Sequence, residues 1–251
     1  MSVFEKQDSW VEKKSPHICF CWFASYRTLI KFLLNSKKKR VVVAGGYDVS
    51  DIKGYGLLSS WKTSWIPKLI FRMADKIIAS SELIENELMS IGVPKEKISV
   101  IYPAVDDIFF NSEHVKKDCF YDYITVANVN KRSFKVKGID LLIKHAENHK
   151  NKSYLLVGNI NVKGVKFPKN ISATGFVRKE NMIEKYLLSK KYLCPSRRES
   201  FGLAPIEAKI VGLDIEFLND IYTKEFLKRN ENLDILREKN RVDAITKIIG
   251  G

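Results

Sequence analysis

The sequence predicts an α/β protein of two lobes, each a parallel sheet flanked by helices. Three observations lead there. Short β-branched or aromatic runs alternate with segments of helical periodicity along most of the 251 residues. Nearly every such run stops at Gly, Ser or Pro. Periodicity lapses once, over 107–120 (DIFFNSEHVKKDCF), and the alternation then restarts. The lapse divides the chain into 1–108 and 109–251, with a C-terminal helix returning to the first lobe.

The elements follow in order. HICFCWF (17–23) is an unbroken apolar run and reads as a buried strand, and 28–34 has helical character. VVVA closes a strand over 40–44 and ends abruptly at Gly45-Gly46. DKIIA (75–79) is the next strand. Ser81 then caps a helix whose Leu83, Ile84, Leu88 and Ile91 share one face, and Gly92 stops it. ISVIY (98–102) is a strand closed by Pro103.

In the second lobe a strand over 123–129 precedes a helix over 138–149, with Ile139, Leu142, Ile143 and Ala146 at helical spacing. Strands over 153–157 and 171–174 end at Gly158 and Gly175. A helix over 180–189 and a strand over 191–194 complete the pattern.

Composition bounds the function. Hydrophobic residues at 45% and charged residues at 29% suit a globular chain able to bury a core. Cys19, Cys21, Cys119 and Cys194 form no CxxC pair and have no histidine at ligand spacing, so neither a metal site nor a disulfide framework is expected. A reducing, cytoplasmic setting fits, and the N-terminus lacks signal-peptide layout. The formal net charge of +14 reads either as solvated surface or as attraction to phosphate-bearing ligands, anionic lipid or nucleic acid. No nucleic-acid-binding motif supports the last of these.

In open parallel sheets, ligands bind beyond the carboxyl ends of the strands. That rule gathers Gly45–Asp48, Ser80-Ser81, 127–130, Gly158, Gly175-Phe176 and 196–202 along one cleft between the lobes. CPSRRESFGLAPIEA (194–208) is the most informative of these stretches. A helix starting near Gly202 or Leu203 puts Pro205 in its first turn, where a missing N–H costs nothing. The amides of Phe201, Gly202 and Leu203 then form an anion cradle at a helix N-terminus. Glu199 in the loop and Glu207 in the helix flank it, either as acceptors for sugar or ribose hydroxyls or as exposed acids that stabilise the helix dipole. Lys137, at the entrance of the helix GIDLLIKHA, reads either as a point charge for a leaving diphosphate or as an exposed loop lysine of a basic chain.

These segments resemble family 4 of the retaining glycosyltransferases, enzymes of GT-B fold with two Rossmann-like lobes facing across a cleft. The matching runs are ADKIIASSELIENELMSIGVPKEKISVIYPAVD (74–106), KGIDLLIKHA (137–146), YLLVGN (154–159) and ATGFVRKENMIEKYLLSKKYLCPSRRESFGLAPIEA (173–208). The resemblance implies transfer of a sugar from a nucleotide-diphosphate-sugar to an acceptor, with retention and without a required metal or cofactor. It assigns Glu199 to the donor sugar and the transition state, and Glu207 to the ribose. Lys137 falls on the leaving diphosphate, Ser200, Phe201, Gly202 and Leu203 on the sugar or phosphate, and Phe176 and Val177 on the base.

The chain also departs from the family pattern. Ala127-Asn128 stand where the family commonly has Gly-Arg, leaving Arg132, Lys131 or Lys135 as the replacing base. The usual first strand and Gly-rich loop of the first lobe are missing, so this lobe is expected to be reduced. GGYDVS (45–50) replaces the usual histidine, making Gly46, Asp48 and Ser81 candidates for the acceptor or donor-sugar side.

A member that binds a nucleotide-sugar or a partner chain without efficient transfer is the alternative reading. The stretch 56–76, with Trp61, Trp65, Ile66, Leu69, Ile70 and Phe71 beside Lys62, Lys68 and Arg72, reads either as an interfacial membrane helix interrupted by Pro67 or as a core helix with basic residues in solvent. A homodimer covering the exposed sheet edge of the reduced lobe is a further expectation.

Overall fold

The computed structural model describes residues 17–111, 119–219 and 233–250. The chain divides into two compact units, Met1–Pro103 with Lys239–Gly251, and Ala104–Glu238.

In the first unit, β1 (Ile18–Trp22), β2 (Lys39–Ala44), β3 (Lys76–Ala79) and β4 (Ile98–Val100) form a parallel sheet in sequential order. Between them run α1 (Tyr26–Leu34), α2 (Trp65–Met73) and α3 (Glu82–Ser90). Right-handed crossovers taken repeatedly in one direction put all three helices on the same face. Leu29, Phe32, Ile70, Phe71, Ile84 and Leu88 accordingly pack with Cys19, Cys21, Val42, Ala44, Ile77 and Ala79. The alternate strand residues, among them Ile18, Phe20, Val41, Val43 and Ile78, pack with Ile245 of the C-terminal helix, Glu238–Gly250. Both faces are covered, which is why these strands are apolar at successive positions rather than at alternate ones. Cys19 and Cys21 are buried in the sheet as small hydrophobes.

Two local expectations change. Pro67 is the third residue of α2 and is buried, so it sits in the first turn without interrupting the helix. The strand expected over 98–102 stops at Val100, where pairing with Ala79 ends.

In the second unit, α4 (Ile108–Asn111) precedes β5 (Tyr121–Val126), β6 (Val129–Asn130), α5 (Ile139–Asn148), β7 (Tyr154–Val157), β8 (Ile160–Asn161) and β9 (Ile171–Gly175). Then follow α6 (Met182–Leu187), β10 (Ser189–Cys194), α7 (Leu203–Ile210) and β11 (Asp214–Phe217). The main sheet is parallel, in the order β11-β10-β5-β7-β9, with β6 and β8 as a small separate pair. Ile139, Leu142 and Ala146 of α5 pack with Leu156 and Leu193, the face that the periodicity indicates.

The helix expected over 180–189 is shorter. It opens with a 3-10 turn at Lys179–Asn181, and the chain leaves it at Ser189 to pair with Tyr121 of β5. The chain runs from β5 through β7 to β9 on one side and through β10 to β11 on the other. Strand order therefore reverses between β5 and β10, which makes this the switch point where an open α/β sheet presents its crevice. No helix among the described residues is long and apolar enough to cross a membrane.

Candidate functional site

The loops that leave β5 and β10 meet at the switch point, and each has a sequence reason for its shape. After β6, the Asn130 side-chain carbonyl accepts the amides of Arg132 at 2.9 Å and Ser133 at 3.1 Å. That closes a turn of the kind Asn favours. The Lys137 amide donates to the Ser133 carbonyl at 2.7 Å, and Gly138 caps α5 at φ +64. A Cβ on Gly138 would stand 1.8 Å from the Pro195 carbonyl oxygen, so only glycine lets the two loops come this close.

Arg197 ties the loops together. Its guanidinium donates in a fork to Asp140, 2.7 Å to Oδ1 and 3.0 Å to Oδ2, and also to the Lys135 carbonyl at 2.6 Å. Its amide donates to the Val136 carbonyl at 2.8 Å. Burial pushes the Asp140 carboxyl up, but Arg197 and Lys135 outweigh it and hold the group below its ordinary range. This clamp brings Lys137 and Glu199 together. Lys137 Nζ lies 2.7 and 2.8 Å from the two Glu199 oxygens, and the Ser196 hydroxyl donates to Oε1 at 2.7 Å. Both side chains are largely withdrawn from solvent, 28% and 15% exposed respectively.

Beyond Glu199 the loop passes half-buried Ser200 and buried Phe201 to Gly202, which takes φ +78 and opens α7. Leu203 is exposed and Pro205 lies in the first turn, as the sequence predicts. The first-turn amides of any helix lack intrahelical acceptors, so this end favours an anion. Glu207 follows on α7, with its Oε2 2.9 Å from the Tyr186 hydroxyl. Burial pushes the Glu207 carboxyl up, while Tyr186 and Lys179 pull it partly back. Burial next to Glu207 pushes the Tyr186 phenol well above its usual range, so Tyr186 stays a donor.

The other expected residues have definite places. Phe176 is 65% exposed and, with Arg178, Lys179, Glu180 and Asn181, lines an open concavity of about 640 Å³; Val177 lies between them in sequence, half-buried. Lys131, Arg132 and Lys135 are all exposed, and Lys135 Nζ is 3.3 Å from Asp140.

In the first unit Asp48 is turned inward, onto backbone amides. It is 1% exposed and accepts the amides of Ala24 (2.9 Å), Gly45 and Gly46 (3.0 Å each). It fastens the loops after β1 and β2, and burial raises its carboxyl against those amides. Gly46 takes φ +109 beside it. Ser81 is buried and caps α3 by accepting the Ile84 amide at 3.3 Å.

Sequence reasoning missed Arg197, Asp140 and Tyr186. The Arg-Arg pair in the strand-end loop and the Asp two residues after Gly138 were the available signals, but in so basic a chain neither identifies its partner. Among the described residues no group of three His, Cys, Asp or Glu could hold a metal. Burial, then the charge of Glu199, pushes the Cys194 thiol up to about 12, so it stays protonated beside the site.

Comparison with known proteins supplies the context. The model of the family described as "Glycosyl transferases group 1" matches residues 113–249, and that of "Glycosyltransferase Family 4" matches 9–108. An uncharacterized 41.2 kDa protein of the cps region of Klebsiella pneumoniae is 29% identical over 79% of this chain and 58% of its own length. The O-antigen biosynthesis glycosyltransferase WclY of Escherichia coli is 27% identical over 87% of this chain and 65% of its own length. The chain thus spans about three-fifths of the length of these relatives.

Among solved structures, sucrose-phosphate synthase of Thermosynechococcus elongatus superposes with a TM-score of 0.64 at 16% identity, covering 99% of this chain and 76% of that one. HepE of Anabaena in complex with UDP and glucose gives 0.60 at 15% identity, covering 85% and 64%. At these identities the likeness shows the fold, which is GT-B.

Proposed function

Because the chain belongs to the glycosyl transferases group 1 family, we propose that it transfers a sugar from a nucleotide-diphosphate-sugar to an acceptor, with the anomeric configuration retained and no metal required. The observation that carries the reading is the Lys137–Glu199 pair at the switch point, next to the α7 N-terminus.

In this reading the first-turn amides of α7 and the loop Ser200–Leu203 hold the diphosphate and sugar. Glu207, kept in place by Tyr186, accepts the ribose hydroxyls. Phe176 and the backbone at Val177 border the base, beside the concavity that Arg178 and Lys179 complete. Arg132, Lys131 or Lys135 supplies further positive charge. On binding, Lys137 turns from Glu199 to the diphosphate, and Glu199 accepts from the sugar hydroxyls.

The bond from C1 to the diphosphate oxygen then breaks, and the acceptor oxygen bonds to C1 on the same face. The acceptor proton passes to the departing phosphate, whose negative charge Lys137 meets. That division of labour supports a metal-independent step, and same-face attack needs no pair of carboxylates at glycosidase separation. The four-stranded unit is assigned to the acceptor, with the loops of Gly46 and Ser81 bordering it and Asp48 holding the first of these loops. The acceptor is a glycan, lipid or protein, and the address is the cytoplasm.

Incubation of the purified protein with a panel of nucleotide-sugars, followed by thermal shift and nucleotide release, tests the reading. One donor is expected to raise the melting temperature and to release its nucleotide when acceptor is added. Stabilisation without release, across acceptors, selects the alternative of a member that binds donor without efficient transfer. Neither effect with any donor overturns both readings.

A further inference from the structure

The strongest feature outside this site is the outer side of two neighbouring helices, α1 and α2, on the first unit. Both bury one face against the same side of the sheet, through Leu29 and Phe32 in α1 and through Ile70 and Phe71 in α2. Their other sides carry large apolar groups in solvent. Trp61, in the turns leading into α2, is 83% exposed, and Trp65 and Leu69 follow it at spacings of four residues, 51% and 38% exposed. On α1, Leu33 and Leu34 are 61% and 79% exposed.

A core-facing helix gains nothing from indole rings on its wet side, so these residues have no account in the folding of the unit. The charges between them are of one sign. Lys62, Lys68 and Arg72 are exposed around the tryptophans, as are Arg27 and Lys31 on α1. Lys62 Nζ lies over the Trp61 ring at 5.6 Å, and the Trp65 indole N–H donates to the Lys62 carbonyl at 3.1 Å. Neither 17–47 nor 52–74 contains a single Asp or Glu.

We propose that this surface docks on an anionic bilayer, with Trp61, Trp65 and Leu69 entering the headgroup region and Lys62, Lys68 and Arg72 facing lipid phosphates. Each part of the chemistry fits that occupant. Tryptophan prefers the membrane–water interface because its ring is apolar and its N–H polar. Basic residues around an apolar stripe add attraction to anionic lipid. A protein partner covering this face would bury five cations and would have to bring matching carboxylates. A lipid surface supplies the negative charge at any register. The inference goes beyond the transfer reading and does not depend on it, since docking concerns where the enzyme sits rather than which bond it makes.

Sedimentation of the full chain with vesicles is the test. Phosphatidylcholine vesicles alone are compared with vesicles that also contain phosphatidylglycerol. Binding is expected only to the second. The double variant Trp61→Ser, Trp65→Ser, which keeps every charge, is expected to weaken it about tenfold or more. Neutralising Lys62, Lys68 and Arg72 to Gln is expected to weaken it about fivefold per charge.

Both tryptophans are exposed, so circular dichroism and melting temperature should stay at wild-type values. Equal binding by the tryptophan variant would mean a general effect of net charge and would overturn the proposal. Absence of binding to either vesicle also overturns it. So does a concentration-dependent dimer, seen by light scattering, that the tryptophan variant abolishes in place of vesicle binding. Each outcome stands whether or not nucleotide release is observed.

Discussion

Lys137 Nζ contacts both carboxylate oxygens of Glu199, at 2.7 and 2.8 Å, although 62 residues separate them in the chain. The contact joins the loop after the first strand of the five-stranded sheet to the loop after the strand beside it. These are the two strands between which the strand order reverses. The pair keeps a carboxylate and an ammonium that are largely withdrawn from solvent satisfied by one another; in the proposed reading a diphosphate and a sugar take over as their partners.

Lys137→Ala and Glu199→Gln are each expected to lower kcat about a hundredfold, the size of effect seen when one electrostatic contact to a transition state is removed. Nucleotide release under saturating donor checks this. Full activity in either variant would sink the donor-site assignment.

The fork from Arg197 to Asp140 predicts a positioning effect. Arg197→Lys keeps the charge but loses the planar two-point geometry. It is expected to lower kcat roughly tenfold to a hundredfold through misplacement of Lys137 and Glu199, with little change in donor KM. A purely structural role would lower the melting temperature and leave kcat per folded molecule alone. Steady-state kinetics beside a melting curve separates the two.

Gly138→Ala should be more damaging than a surface glycine change. The left-handed backbone alone costs about 1–2 kcal/mol for a residue with a side chain, and the new methyl group would overlap the Pro195 carbonyl. Gly164→Ala, also at positive φ but with open space around it, is the control. Chemical denaturation of the two variants is expected to rank them in that order.

Glu207 gives opposite pH trends for affinity and stability. Its raised carboxyl means that it takes up a proton in weak acid, before an ordinary surface glutamate does. Protonation removes an acceptor, so donor KM should rise as pH falls through that range. For stability the sign is reversed. The folded state binds this proton more tightly than the unfolded chain, so the contribution is present at low pH and is lost as pH rises through the raised value. Glu207→Gln should flatten both curves, as read by KM and melting temperature from acid to neutral pH.

Ile245→Ala tests the tie between the C-terminal helix and the four-stranded sheet. Ile245 is buried against Ile18, Phe20 and Val41, and its truncation should cost about 2–5 kcal/mol, measured by denaturant unfolding.

The alternation of apolar runs and helical periodicity determined the fold class. Phe-Gly-Leu-Ala-Pro following an apolar strand determined where α7 begins, because Pro205 and Gly202 each fit only a narrow range of backbone positions. Lys137, Glu199 and Glu207 were legible one at a time, each as a charge at a strand end or in a helix.

Their partners were not legible. That Lys137 meets Glu199, that Arg197 meets Asp140, and that Tyr186 meets Glu207 depend on β10 lying next to β5 and on Gly138 passing under Pro195. Asp48 shows the same limit from the other side. A lone acid at a strand end looks like a ligand contact, and only the placement of three backbone amides around it shows that its carboxylate is spent holding two loops. Periodicity and backbone preference are properties of consecutive residues, so the sequence determines the elements and their ends. Pairings across strand order are set by the sheet, and those the tertiary structure decided.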